Sequence, residues 1–99
     1  VDDKYINYIN GVITMLTKLT YPAVLSKNQY EDQILYNVTF PDISTANTYG
    51  TNIKDARTNA ETLLKILISD KDKLPESSTM VKIQDNYPDS IVSLITISI

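Results

Sequence analysis

Neither cysteine nor histidine occurs in the 99 residues. The first absence excludes disulfides and thiolate metal sites. The second removes the usual near-neutral general base and the commonest metal ligand. Any catalysis would have to rest on carboxylates, lysine, tyrosine or hydroxyls. Basic residues are in short supply, nine against twelve acidic ones, for a net charge of −3. That argues against broad phosphate binding, which needs clustered lysine and arginine, and suits a partner that is itself basic. No apolar run approaches the ~20 residues of a membrane span. The opening "VDDKYINYIN" has no basic segment leading into an apolar one, so no secretory signal is visible. A cytoplasmic protein with no membrane contact is expected.

What is present describes one small domain. Hydrophobic residues make up 42% and charged residues 21%, neither of which points to disorder. A chain of this length buries roughly 60–65% of its unfolded surface, enough for a core with little reserve.

Along the chain, Tyr5, Tyr8, Ile9, Val12, Leu16 and Leu19 fall three and four apart, the spacing of one helical face. A helix over residues 3–19 is therefore expected, despite Gly11 within it. Pro22 stops it. "YPAVLSKN" reads as a strand with Pro22 near its start. "ILYNVTF" alternates strictly: Ile34, Tyr36, Val38 and Phe40 face one way, and Leu35, Asn37 and Thr39 the other. That is a strand with one buried face. Pro41 ends it, and Asp42 fixes a turn by bonding its own downstream backbone. "STANTY" is a third short strand, after which Gly50 supplies the freedom to leave the sheet. From Thr51 onward lies the strongest helix, capped by Thr51 or Asn52, with Ile53, Ala56, Ala60, Leu63, Leu64 and Leu67 on one stripe. Ala56 and Ala60 mark its closest approach to the sheet. "ESSTMVKIQDNYPDS" is a connection with at most an irregular turn, and "IVSLITISI" closes the chain as a β-branched strand. Three strands make an antiparallel meander, and the core helix returns the last strand parallel to the first by a right-handed crossover. The expected fold is an α+β two-layer sandwich.

The stretch from Tyr21 to Leu67 resembles the core of HicB-like antitoxins. Tyr21, Pro22 and Ala23 match that family's opening, and Val38, Phe40, Pro41 and Asp42 match the end of its second strand. Gly50 and Thr51 match its turn, Ala56, Asn59 and Ala60 its helix, and "LPESS" its connection to the last strand. The resemblance implies a partial ribonuclease-H-like β-β-β-α-β core over residues 21–99; the helical extension over 1–20, read from its spacing, is a departure from the family's pattern. It also implies a protein-binding module of a type II toxin–antitoxin system, sequestering a small basic ribonuclease toxin of the HicA type. The alternative is a homo-oligomeric structural or phage accessory domain with no toxin partner. Such antitoxins often repress their own operon through a C-terminal DNA-binding segment. The sequence given stops at Ile99 without one, so no DNA binding is expected of it.

A ribonuclease-H-like fold invites a two-metal nuclease hypothesis, which needs several converging carboxylates. Here the acidic residues fall in turns and at helix ends. Asp42 reads as a turn residue rather than a ligand, and no enzymatic activity, metal or cofactor is expected. Tyr5, Tyr8, Tyr21 and Tyr36 belong to apolar rows, while Tyr30, Tyr49 and Tyr87 fall near turns and suit a protein interface. Leu35, Asn37, Thr39, Asp42 and Tyr49 are the candidate partner-binding residues. The last strand is apolar on both sides, which leaves surface for a two-fold homodimer. The candidate residues for that interface are Ile9, Val12, Ile13, Leu94, Ile95 and Ile97.

Overall fold

One 19-residue strand organises the chain. The structure is a computed structural model that describes residues 4–9 and 12–98, with side-chain surroundings from Lys18 to Ser98. Its elements are β1 (Lys4–Ile9), β2 (Val12–Tyr30), β3 (Gln33–Phe40), β4 (Ser44–Gly50), α1 (Ile53–Ser69), α2 (Met80–Asn86) and β5 (Ile91–Ser98). The result is an α+β domain. Its four-stranded antiparallel sheet is ordered β5-β2-β3-β4, and β1 pairs with the N-terminal part of β2.

The sequence pattern predicts a helix over 3–19, and with it a helical extension over 1–20; the described residues of that stretch, 4–9 and 12–20, are strand instead. Lys4–Ile9 pairs antiparallel with Val12–Thr17 in unbroken register. The helical spacing competes with a run rich in β-branched residues, which lose side-chain freedom in helices and fit a pleated surface. The two residues between the partners Ile9 and Val12 are Asn10 and Gly11. That pair is the strongest short-range hairpin signal a sequence carries.

β2 and β3 are joined through Glu31 and Asp32, with Glu31 at φ 50°. β3 and β4 meet at a tight turn in which the Ile43 amide donates to the Phe40 carbonyl at 2.9 Å, with Pro41 at the second position, where its fixed φ suits the turn. α1 begins at Asn52, whose side-chain oxygen accepts the Asp55 amide at 2.8 Å. Its stripe of Ala56, Ala60, Leu64 and Ile68 lies on the sheet face made by Tyr21, Ala23, Leu25, Val38, Phe40, Ile95 and Ile97. Removing large side chains such as Phe40 and Leu64 from water stabilises the fold by ~1.5–3 kcal/mol each.

The departure from sheet to helix at Gly50 rests on space. A side chain there would place its Cβ 2.3 Å from the Ala56 nitrogen and 2.7 Å from the Ala56 Cα. Only glycine lets β4 pass so close beneath the first turn of α1.

The last strand runs opposite to expectation. β5 is antiparallel to β2, from Leu25 paired with Ile91 to Lys18 paired with Ser98. The chain does not return directly from α1. Residues 70–79 pass the β3–β4 turn, and α2 carries the chain onto the other face of the sheet, where Ile83 packs with Val24 and Val92. β5 therefore enters beside Leu25 rather than beside Lys18. The connection thus contains a true helix, capped by the Thr79 hydroxyl oxygen, which accepts the Lys82 amide at 3.2 Å.

Pro22 sits well inside β2, fully buried and opposite Leu94. A proline has no N–H for a ladder and is tolerated where its nitrogen faces no partner strand. β3 pairs with β2 only from Val24 onward, so beside Pro22 the β3 side of β2 is open to take the missing donor.

Candidate interaction surface

The sheet has two unlike faces. α1 covers the first along its length. On the second, α2 covers only the β2–β5 end. Register places Val24 beside Thr39, Ser26 beside Asn37 and Asn28 beside Leu35, and sets Asn37 beside Tyr49. Leu35, Asn37, Thr39 and Tyr49 therefore share the second face, beyond the reach of α2. Leu35, Asn37 and Thr39 are half-buried, and Tyr49 is 56% exposed. This half of the face carries no charged side chain from β3 or β4. It presents amides, hydroxyls, a leucine and a tyrosine, a mixture suited to hydrogen-bonded, water-excluding contact with a protein.

At one end the face deepens into a cleft of about 530 Å³, lined by Thr39, Pro41, Asp42, Ile43, Ser44, Thr45 and Tyr87. Tyr87 ends α2, where its amide bonds the Ile83 carbonyl at 3.0 Å. Gln84 donates to the Tyr87 and Ser90 carbonyls, both at 2.9 Å, and the Ser26 and Ser90 hydroxyls bond at 3.0 Å. These bonds hold the segment after α2 against the sheet. Exposed Asp85 and Asp89 flank Tyr87 in sequence, which puts negative charge near this end.

Asp42 lines the cleft but is already engaged. One carboxylate oxygen accepts the Ser78 amide and the other the Ser78 hydroxyl, both at 2.7 Å. Asp42 thus fixes the distant connection rather than its own downstream backbone. Close by, the Tyr21 hydroxyl donates to the Pro75 carbonyl at 2.6 Å. Burial first, and the negative charge of Asp42 second, push the Tyr21 phenol above its ordinary value. Among the described residues no three acidic side chains converge where they could hold a metal ion. No helix among them is long and apolar enough to cross a membrane.

The residues expected at an interface between copies separate. Ile95 and Ile97 are core residues under α1, 1% and 3% exposed, because odd-numbered positions of β5 share the face of Tyr21 and Leu19. They are not free surface. Leu94 points to the opposite face and is 44% exposed. Ile9, Val12 and Ile13 take part in the β1–β2 pairing, and their side chains lie outside the described residues. Tyr30, Tyr49 and Tyr87 are exposed and Tyr21 is buried, as the sequence pattern indicates. Ser78 and Thr45 were not legible as parts of the site, and Tyr87 was legible only as an exposed aromatic suited to an interface, not as a wall of this cleft. Only the Thr79 cap and the apolar Ile83 hinted at the helix that brings Tyr87 to the cleft. Comparison of the chain with known protein families, with curated proteins and with solved structures finds no match.

Proposed function

We propose that this chain is a protein-binding module of the antitoxin type, whose open sheet face receives a small basic ribonuclease. The observation that carries the reading is the alignment of Leu35, Asn37, Thr39 and Tyr49 on one uncovered, uncharged half-face. The net charge of −3 and the acidic residues around Tyr87 favour a basic partner through electrostatic steering. The resemblance to HicB-like antitoxins supports the same reading, because its short motifs take structural roles together. Tyr21, Pro22 and Ala23 are buried, and Asp42 of the Phe-Pro-Asp turn bonds Ser78 of "LPESS". The finer fold that goes with it is a partial ribonuclease-H-like core, in which β2, β3, β4 and α1 form the meander and helix. The antiparallel return of β5 is a variation on it.

The test is affinity capture from the native host, followed by calorimetry with the captured protein. A small basic protein encoded beside this chain is expected. Leu35→Asp and Tyr49→Ala should each weaken its binding by tenfold or more, the range of central interface side chains at ~1.4 kcal/mol or above. Capture of no such protein, or binding indifferent to both substitutions, overturns the reading.

A further inference from the structure

β5 pairs on one side only. Among the described residues its hydrogen bonds go to β2, and its outer edge meets no strand. Sheets normally guard such an edge with charge, proline or a bulge. β5 has none of these: Ile91–Ser98 contains no charged residue and no proline, and its register with β2 is unbroken over eight pairs. The free edge at β4 is interrupted by a register shift at Thr39 and Phe40.

Pro22 indicates which groups of β5 point outward. Since Pro22 gives no hydrogen to Leu94, the pair belongs to the class whose backbone groups face away from each other. The N–H and C=O of Leu94 therefore face the free edge, as do those of Val92 and Thr96, two residues to either side.

We propose that the outer edge of β5 pairs antiparallel with β5 of a second copy of this chain, with Leu94 opposite Leu94 on the two-fold axis. Val92 then faces Thr96 of the other copy, and each pair uses outward-facing backbone groups. Both copies keep α1 on one side of a continuous eight-stranded sheet and α2 on the other. A second copy fits better than a foreign strand because a two-fold axis brings identical residues together. An uncharged strand meets itself without repulsion, and the exposed Leu94 side chains cover each other. Ile91, 43% exposed, gains Ile97 of the other copy as its cross-strand neighbour. The pairing does not depend on the antitoxin reading and leaves the Leu35–Tyr49 half-face open.

Light scattering on the full chain at micromolar concentrations should give twice the monomer mass of 11.2 kDa. Leu94→Lys, which sets two like charges on the axis, should weaken self-association at least tenfold. Cysteine placement then tests the register, since the chain has no cysteine of its own. A hydrogen-bonded antiparallel pair has Cα atoms about 5.5 Å apart, inside the range of a disulfide, so Leu94→Cys should oxidise rapidly to a covalent dimer. Two Thr96→Cys side chains would lie four residues apart along the strands, about 13 Å, and should not cross-link. A monomer mass at every concentration overturns the proposal. So does a dimer in which Leu94→Cys oxidises no faster than Thr96→Cys.

Discussion

Gly50→Ala adds a single methyl group at the tightest point of the fold. The new Cβ would stand 2.3 Å, 2.7 Å and 2.8 Å from the Ala56 nitrogen, the Ala56 Cα and the Asp55 carbonyl carbon. All three are backbone atoms in the first turn of α1, so no side chain can swing aside. The helix must retreat by about the overlap, close to 1 Å, and Ala56, Ala60 and Leu64 then lose close packing against Val38 and Phe40. Overpacking of this kind costs about 1–3 kcal/mol. In a domain of this size each kcal/mol moves Tm by about 4–8 °C, so a fall of roughly 5–20 °C is expected in thermal unfolding followed by circular dichroism. The sign is the sharp test. Where space allows, Gly→Ala stabilises by ~0.4–1 kcal/mol through the unfolded chain. A raised or unchanged Tm would refute the claim that contact, rather than backbone conformation, requires glycine here.

Further along the same interface, Ala60→Leu should cost about 1–3 kcal/mol by the same overpacking, read as a lower urea midpoint with an unchanged slope. Asp42→Ala removes both acceptors from Ser78. Hydrogen bonds to a charged group contribute ~1.5–3 kcal/mol each when well shielded, and Asp42 is only half-buried, so a loss near the lower figure is expected, with faster hydrogen exchange at the Ser78 amide. Tyr21 holds its proton more tightly folded than unfolded, since its folded value is raised above 10.0. Its contribution is therefore fully present below pH 10 and is lost as pH rises through the folded value. Urea titrations should show stability falling above pH 10, and Tyr21→Phe should lose that part of the fall while giving up ~1 kcal/mol with the bond to Pro75.

The meander and core helix were legible because each signal was local and had little competition. The alternation of Ile34–Phe40 fixes the row whose Val38 and Phe40 are buried, Pro41 fixes the turn, and the stripe from Ala56 to Leu67 fixes the helix face. The N-terminal hairpin was obscured because its apolar residues fall at helical spacing and do not alternate along either strand, so only the β-branched content and the Asn10–Gly11 pair speak for strands. α2 is only seven residues long, less than two full turns, too short for periodicity to show. The direction of β5 is a tertiary fact, set by the Asp42–Ser78 bond across 36 positions and by the path of α2. The half-face of Leu35, Asn37 and Thr39 follows from alternation within one strand. That Tyr49 joins it, and that Tyr87 closes its end, depends on strand register and on a helix that local patterns do not reveal.

The central claim is that the uncovered half of the sheet is the binding face. Nuclear magnetic resonance titration with the small basic protein captured from the native host tests it most directly. Shifts are expected at the Leu35 and Thr39 methyls, the Asn37 side-chain amide and the Tyr49 ring, with the exposed side of α1 around Thr62 and Ile66 unchanged. Shifts confined to α1, or none at those four residues under saturating partner, would contradict the account.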